Sequence, residues 1–430
     1  MRFSFTFSFC IILLSILSSS CASRGSMSSS RAEGPISLPS PTGPFFIGLR
    51  KYHFKDLNRK DPYLDGKVAR DLMINLYYPA DRSSNCEEEP YLESRMLSFY
   101  RDEMVPKSEL NSEVLNQIST EVLREPEFSK TKQLYPVIIL SPGSGMVPEF
   151  YLSIIRELVS QGFVVAAINH TYNAQISVFP DNSVKLRSSI GNEYFQKIRS
   201  NGGDAEGALI KSDSDDLSQT LEALHNIDQS RHLDFSKIGM LGHSLGGMAV
   251  THACPNSPLC RAAINMDGPL LGARSNLLHE GDLDGDLKKP FLFLSGKMIA
   301  SISPKKEDAN YRDKDLLDTL FKLDPTLSLE EYYQFTKDRT QGRILKAIKK
   351  MGKNSSLLVF RNADHMSFSD WNLINSSRLN GMEKVELFQF MKQMNSILTN
   401  FFKHHLDAKN IPLLMGVVNQ RDIHTNFLEQ

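Results

Sequence analysis

Short, predominantly apolar runs separated by longer amphipathic stretches constrain the fold of this chain more than any other feature. The runs cover residues 72–78, 137–140, 163–168, 237–241, 262–266, 291–294 and 357–360. Strands that are apolar on both faces are typical of a parallel sheet that is covered by helices on both sides. The sequence therefore predicts one large, mostly parallel sheet.

Helices are predicted between these strands, because residues 148–160, 213–228 and 383–404 carry apolar side chains along one helical face. Strands and helices that alternate in this way indicate a doubly wound α/β domain with helices on both faces of the sheet. For the segment 383–404 we favour packing on the sheet over the alternative, a position on a lipid surface.

Some parts of the chain do not follow the alternation of strands and helices. They are the segments 81–132, 172–211 and 300–340. We predict that they are insertions at the edges of the sheet and above its carboxyl-terminal edge, where the active sites of doubly wound domains lie.

The N-terminal residues have the composition of a targeting signal. Arg2 is followed by a short apolar stretch at 3–17 and then by small residues, which is typical of a signal peptide. We predict a signal peptide at 1–21, a flexible leader rich in Ser, Gly and Pro at 22–44, and one catalytic domain at 45–430.

This organisation predicts a secreted or periplasmic protein, outside the cytoplasm. An alternative is lipid attachment through Cys21, because residues 17–21 resemble a bacterial lipoprotein cleavage site. Cys254 and Cys260 flank a turn-rich tetrapeptide, so they form either a disulfide in an oxidising compartment or two free thiols.

Composition narrows the classes of partner. The 430 residues have a formal net charge of -1, so the molecule as a whole does not attract polyanions, and nucleic acid is not an expected partner. None of the five cysteines belongs to a cluster with the spacing of a metal site. We expect no metal and no organic cofactor.

A glycine-rich turn carries the chemistry. Gly242 to Gly247 follow the predicted strand 237–241 and precede the helix-like stretch 248–253, which is the context of a G-x-S-x-G nucleophile elbow. Glycine two places before and after Ser244 leaves room for a tight turn, which exposes the hydroxyl and places a helix N-terminus beside a developing oxyanion. The alternative is an ordinary glycine-rich turn.

The base is predicted to be His365. In folds built around this elbow, the acid and then the histidine follow the serine along the chain, and His365 lies in a loop just after the strand 357–360. His404 ends the predicted helix 383–404 and His405 follows it, so both are expected to face solvent or to cap the helix. His243 lies inside the elbow, whose backbone directs its side chain away from the serine.

The acid is predicted to be Asp267, directly after the strand 262–266. The commonest position for the acid is one strand later, but the strand 291–294 is followed by no carboxylate until Glu307 and Asp308. Asp308 is therefore the alternative. The acid has to hold the tautomer of the histidine ring and stabilise the imidazolium.

Two backbone N–H groups are predicted to bind the oxyanion. One belongs to Leu245, which follows the nucleophile. The other is assigned to Ser144 in the glycine-rich loop after the strand 137–140, since Pro142 has no N–H. A plain turn is the alternative for this loop.

These motifs, together with longer stretches of the chain, resemble the plasma-type platelet-activating factor acetylhydrolases, the lipoprotein-associated phospholipases among the α/β-hydrolases. The similar stretches are 43–48, 75–80, the loop around Ser144, 157–170, and 234–241 leading into the elbow. The resemblance implies an α/β-hydrolase fold, with the triad acid at Asp267, the histidine at His365, and oxyanion donors at Ser144 and Leu245.

The resemblance also implies calcium-independent hydrolysis of a short or oxidised acyl chain from the middle position of a phospholipid, at a membrane or lipoprotein surface. One departure is Pro142, where the family usually has a histidine. Two alternatives stay open. One is a general carboxylesterase or polyester hydrolase, and the other is a lipid-binding protein without catalysis.

Overall fold

The computed structural model describes residues 37–81, 85–104, 115–268, 287–296, 355–360, 363–375, 381–407 and 423–425. Their strands are β1 (Phe46–Lys60), β2 (Ala69–Ala80), β3 (Val122–Arg124), β4 (Tyr135–Ser141), β5 (Val164–Asn169), β6 (Ile176–Val178), β7 (Val184–Leu186), β8 (Leu233–His243), β9 (Cys260–Met266), β10 (Phe291–Ser295), β11 (Ser355–Phe360) and β12 (Ile423–Thr425).

Their α-helices are α1 (Ser94–Phe99), α2 (Leu152–Ser160), α3 (Asn192–Ser200), α4 (Ala205–Leu224), α5 (Leu245–Asn256), α6 (Trp371–Ile374) and α7 (Gly381–Leu406). Short 3₁₀ turns cover Pro62–Leu64, Pro148–Tyr151, Ser230–His232 and His365–Phe368, and single π-helical turns cover Tyr100–Met104 and Arg187–Gly191. None of the described helices is long and apolar enough to cross a bilayer.

A ten-stranded sheet organises the fold, in the order β12-β11-β10-β9-β8-β4-β5-β2-β1-β3. The six consecutive strands from β11 to β5 are parallel to one another. β2 pairs antiparallel with β5 and β1, and β12 pairs antiparallel with β11. Each of the seven apolar runs lies within or overlaps one of these strands, so the prediction of a mostly parallel α/β sheet is confirmed.

Helices cover both faces of the sheet, because side chains along its central strands alternate between two buried clusters. Along β4, Ile138 and Leu140 belong to one cluster, whereas Val137 and Ile139 belong to the other. The first cluster includes apolar residues of α2 and α7, and the second includes those of α4 and α5. This is the doubly wound arrangement that the sequence predicts.

The amphipathic helix α7 packs its apolar face against the sheet. Leu387, Met391, Met394, Leu398 and Phe401 are all buried in the cluster that includes β8 and β9 residues. The favoured interpretation of residues 383–404 is therefore correct.

β1 is the main element that the sequence analysis did not predict. This strand of 15 residues is rich in charged and polar side chains, and beyond Arg50 the side chains alternate mostly between half-buried and exposed. It pairs with β2 over most of its length, so its stability comes from backbone hydrogen bonds and from one half-buried face rather than from an apolar core.

Most of the predicted insertion 81–132 and all of 172–211 lie within the described residues. The segment 81–132 contributes β3, which pairs with β1 at the end of the sheet. The segment 172–211 forms the β6–β7 hairpin, the helix α3 and the first turns of α4. An isolated bridge from Gly145 to Ala174 places the start of this segment beside the loop after β4.

Cys254 and Cys260 form a disulfide that joins the end of α5 to the start of β9. Of the two alternatives for this pair, the structure therefore has the bonded form. The predicted signal peptide, Cys21 and the segment 300–340 lie outside the described residues.

Candidate active site

The nucleophile elbow connects β8 to α5 through Ser244, whose backbone has φ 55° and ψ −120°. Such a conformation costs a non-glycine residue roughly 1–3 kcal/mol and is typical of active sites. A Cβ atom on Gly242 would lie 2.1 Å from the carbonyl oxygen of Gly246, and one on Gly246 would lie 2.1 Å from that of Ser141. Both positions therefore require glycine for steric reasons.

Ser244, His365 and Asp267 form one hydrogen-bonded chain. His365 Nε2 lies 2.9 Å from Ser244 Oγ, and His365 Nδ1 lies 2.7 Å from Asp267 Oδ2. Because an ionised carboxylate can only accept, we assign the ring proton to Nδ1, which leaves Nε2 to accept the proton of the serine hydroxyl. The structure thus brings together the three residues that the sequence analysis singled out.

The sheet explains why residues so far apart along the chain meet. β8 and β9 are parallel neighbours, so Ser244 and Asp267 follow their strands at the same carboxyl-terminal edge. His365 begins the 3₁₀ turn that comes soon after β11, two strands beyond β9 in the sheet. The side chain of Asp364 caps this turn by accepting from the backbone N–H of Ser367. Asp308, the alternative acid, lies outside the described residues.

Asp267 is held by hydrogen bonds to the end of β10 and to the residue that follows it. Its backbone N–H donates to the carbonyl of Leu294 at 2.7 Å, and its Oδ1 accepts from Ser295 Oγ and from the N–H of Gly296. Burial alone would raise the pKa of Asp267, but the hydrogen bonds from His365 and Gly296 outweigh it and lower the pKa. The carboxylate is therefore ionised at neutral pH.

Access differs along the hydrogen-bonded chain. The side chain of Asp267 is only 6% exposed, whereas that of His365 is 40% exposed, and Ser244 is half-buried. A substrate or a water molecule can therefore reach the serine and the imidazole, while the acid is shielded.

The loop of residues 141–145, which we call the oxyanion loop, lies against the elbow. A Cβ atom on Gly143 would lie 3.2 Å from Ser244 Cβ. The N–H of Gly143 donates to the hydroxyl of Tyr151 and that of Gly145 donates to the carbonyl of Asn173. The N–H of Ser144 donates to no acceptor among the described residues.

Leu245, the other predicted donor, is the first residue of α5. The N–H groups of the first helical turn have no acceptor within their own helix, and they form the positive end of its dipole. The two N–H groups assigned from the sequence thus belong to the two segments that flank the serine.

Tyr151 and His243 also support the site, and the sequence analysis did not find this role. Tyr151 Oη accepts from Gly143 N and lies 2.8 Å from His243 Nδ1, while His243 Nε2 lies 2.9 Å from the carbonyl oxygen of His365. Burial, with a smaller contribution from the nearby His365, lowers the pKa of His243 to about 3. The neutral ring therefore accepts from Tyr151 and donates to the backbone of His365.

A buried group of charges lies beneath the oxyanion loop. His170, Asp213 and Asp216 offer atoms close enough together to bind a metal ion, but Arg70 donates to both carboxylate oxygens of Asp216. Burial alone would raise the pKa of Asp216, but Arg70 outweighs it and holds the pKa far below its usual value. His170 also contacts Ser141 Oγ at 2.9 Å, so this group anchors the loop rather than forming a cation site.

The chain is similar to known esterases and acetylhydrolases. A family model described as platelet-activating factor acetylhydrolase, isoform II, matches residues 30–231. The platelet-activating factor acetylhydrolase of Cavia porcellus is 21% identical over 295 residues, which cover 64% of each chain. That of Gallus gallus is 23% identical over 333 residues, covering 68% of this chain and 74% of the relative.

A fungal protein is similar as well. The probable 1-alkyl-2-acetylglycerophosphocholine esterase of Arthroderma benhamiae is 23% identical over 257 residues, covering 56% of this chain and 60% of the relative. The chain thus spans slightly less than two thirds of the length of the Cavia and Arthroderma relatives.

Among solved structures, a ferulic acid esterase from Streptomyces cinnamoneus superposes with a TM-score of 0.67 at 21% identity, covering 92% of this chain and 100% of that one. This likeness shows a common α/β-hydrolase fold. The sequence matches thus make this chain similar to the platelet-activating factor acetylhydrolases, and its fold is that of the α/β-hydrolases.

Proposed function

We propose that the protein is a serine hydrolase that cleaves a short or oxidised acyl ester from the middle position of a phospholipid such as platelet-activating factor. The observation that carries this proposal is the hydrogen-bonded chain from Ser244 through His365 to Asp267. The names of two relatives, platelet-activating factor acetylhydrolase and probable 1-alkyl-2-acetylglycerophosphocholine esterase, support this substrate class.

The proposed reaction is a two-step acyl transfer. Ser244 Oγ attacks the ester carbonyl while His365 Nε2 takes the hydroxyl proton. The carbonyl oxygen becomes an oxyanion, which accepts hydrogen bonds from the N–H groups of Ser144 and Leu245. His365 then gives its proton to the departing alcohol, which leaves the acyl group bound to Ser244.

The second step repeats the first with water. His365 Nε2 removes a proton from a water molecule as its oxygen attacks the acyl carbonyl, and the proton then returns to Ser244 Oγ as the carboxylic acid leaves. Asp267 stays ionised throughout, because its lowered pKa keeps it a carboxylate while His365 is an imidazolium. Every group that these steps need belongs to the chain or to the solvent.

The variant Ser244→Ala tests the proposal. With 2-acetyl ether phosphatidylcholine as substrate, we expect kcat to fall by about 10⁴-fold or more, with correct folding shown by an unchanged unfolding transition. Ser200→Ala is the matched control, because this exposed serine donates only to the backbone of its own helix. Near-normal turnover by Ser244→Ala would refute the assignment of the nucleophile.

A substrate panel separates the alternatives. A general carboxylesterase would prefer simple aryl or polyester-like esters to the short-acyl phospholipid. A fluorophosphonate probe distinguishes an enzyme from a lipid-binding protein without catalysis, since only an activated serine becomes labelled. Labelling should be lost in Ser244→Ala and kept in Ser200→Ala.

We also propose that the protein functions outside the cytoplasm. The disulfide between Cys254 and Cys260 supports this, because disulfides persist mainly in oxidising compartments. The test is expression in the native host, followed by fractionation and by mass spectrometry of the N-terminus. A mature chain that begins near residue 22 would support secretion, a lipid on Cys21 would identify an anchored form, and an uncleaved cytoplasmic chain would contradict both.

A further inference from the structure

Arg187 reaches the oxyanion loop from the segment that follows the β6–β7 hairpin. Its Nη1 donates to Ser144 Oγ at 2.7 Å and to the backbone carbonyl of Asn173 at 3.1 Å. A Cβ atom built on Gly145 would lie 3.1 Å from the same nitrogen. The guanidinium therefore borders the loop whose residue 143 lies against the nucleophile.

The positive charge of Arg187 is not balanced by the groups that it touches. Both acceptors are neutral oxygens, and Arg187 forms no ion pair with any carboxylate in the part of the chain that the structure describes. Other cations of this region are paired: Arg70 and Arg59 with Asp216, and Lys185 with Asp71. A guanidinium has donors on three nitrogens, and the hydrogen bonds above use one of them.

Partial burial makes this lack of a counter-charge significant. Arg187 is half-buried, and this desolvation lowers its pKa, which the more distant Tyr63 and Asp213 offset only in part. Guanidinium groups stay charged in proteins. A partly desolvated cation with spare donors favours an anionic ligand, and it binds phosphate by two parallel hydrogen bonds.

We propose that Arg187 is the binding site for the phosphodiester of the substrate, placed by Ser144 next to the oxyanion hole. This inference rests on the proposed function, because it supplies the group that distinguishes a phospholipid from an uncharged ester. In a glycerophospholipid the phosphate is only a few bonds from the middle ester. An ester carbonyl between Ser244 and Ser144 therefore leaves the phosphate within the reach of a guanidinium beside Ser144.

Binding is measured without catalysis in the Ser244→Ala background. The probe is a monomeric short-chain diether phosphatidylcholine, which has the phosphodiester but no ester to cleave, and the readout is calorimetry. We expect Arg187→Gln to weaken its Kd by at least about tenfold, and Arg187→Lys to retain part of the affinity. Arg261→Gln is the matched control, since this exposed guanidinium lies at the start of β9, away from the carboxyl-terminal edge that carries the site, and its loss should leave the Kd unchanged.

Kinetics of the enzyme with Ser244 intact give the second readout. For Arg187→Gln we compare kcat/KM on a short-acyl phosphatidylcholine with kcat/KM on an uncharged diacylglycerol of the same acyl length. The ratio of the two should fall by at least about tenfold, whereas Arg261→Gln should leave it unchanged. A loss that is equal for the two substrates in Arg187→Gln would show that Arg187 only positions the loop.

The outcomes separate this inference from the proposed function. Arg187-dependent binding of the diether without phospholipid hydrolysis by the wild type would remove the function and leave the subsite. The subsite would be overturned if the wild type hydrolyses the phospholipid but Arg187→Gln leaves the Kd of the diether unchanged. It would also be overturned if the diether binds neither to Ser244→Ala nor to the double variant with Arg187→Gln. A third substrate, an uncharged glyceride with a carboxyl-ended acyl chain, tests the other source of an anion. If Arg187→Gln lowers kcat/KM on that glyceride and not on the phospholipid, the phosphodiester assignment would be overturned.

Discussion

His243 Nε2 lies 2.9 Å from the backbone carbonyl oxygen of His365, so the residue before the nucleophile holds the main chain of the proposed base. Through Tyr151, the same ring is linked to the N–H of Gly143 in the oxyanion loop. One neutral side chain therefore fixes the relative position of the two segments between which the ester carbonyl has to fit.

The variant Tyr151→Phe removes the hydroxyl that links Gly143 to His243 and keeps the ring. We expect kcat to fall about tenfold with little change in KM, by similar factors on charged and uncharged esters, because the loss affects alignment rather than binding. Tyr52→Phe is the control, since that hydroxyl bonds the exposed Asp228. A folded Tyr151→Phe protein with unchanged kcat would show that the link is merely structural.

The variant Asp267→Asn tests the orientation of the base. An amide in place of the carboxylate can still accept from Ser295 and Gly296, but it presents a donor to His365 Nδ1 and reverses the ring tautomer. We expect kcat to fall by about 10³–10⁴-fold with KM nearly unchanged. Asp181→Asn, at an exposed turn, should leave the rate as it is. A loss below about tenfold would point to another acid, such as Asp308.

Stability should depend on pH through His243. Its pKa falls from an ordinary 6.5 to about 3 in the folded protein. Between these values the unfolded chain binds a proton that the folded chain does not, so this contribution is fully present above about pH 6.5 and is lost as the pH falls toward 3.

The measurement is urea unfolding at several pH values between 4 and 6.5. One proton corresponds to a slope of about 1.4 kcal/mol per pH unit. In His243→Gln, the plot of the free energy of unfolding against pH should be less steep than in the wild type by close to this amount. Equal slopes in wild type and His243→Gln would mean that His243 titrates normally in the folded state.

The variant Gly246→Ala tests the close approach at the elbow. Its methyl group would lie 2.1 Å from the carbonyl oxygen of Ser141, so the backbone of the elbow or of the loop has to move. We expect a loss of roughly 3 kcal/mol of stability together with the activity. Gly202→Ala is the control, because no heavy atom lies within 4 Å of its Cβ position and only the φ of +74° opposes it. If Gly246→Ala and Gly202→Ala lose the same free energy of unfolding, the steric explanation for Gly246 would be ruled out.

The central sheet was predictable because its strands are apolar on both faces, which few other structures tolerate. Ile138 and Ile139 face opposite sides of β4 and both are fully buried. β1 was not predictable in this way, since its outer half carries charged side chains and pairs with β2 through the backbone. Three-residue strands such as β3 are stable only beside a neighbour that the local sequence does not specify.

At the candidate site, the difference lies in how each residue is positioned. The surroundings of Ser244 and Asp267 follow from the local sequence, because two glycines set the elbow and the end of β9 sets the acid. The contact between Tyr151 and His243 joins residues 92 positions apart, and neither side chain stands in a pattern that demands a partner. Arg187 was missed for the same reason, since it lies in a segment that had been recognised only as an insertion.

Because Asp267 stands directly after β9, the chain after β10 does not have to supply the acid of the proposed triad. In the commoner arrangement that connection has to deliver the acid to the imidazole, so its length and path are fixed by the chemistry. Here the Gly296 N–H only supports the carboxylate, and the residues from 297 to 354 are released from that constraint.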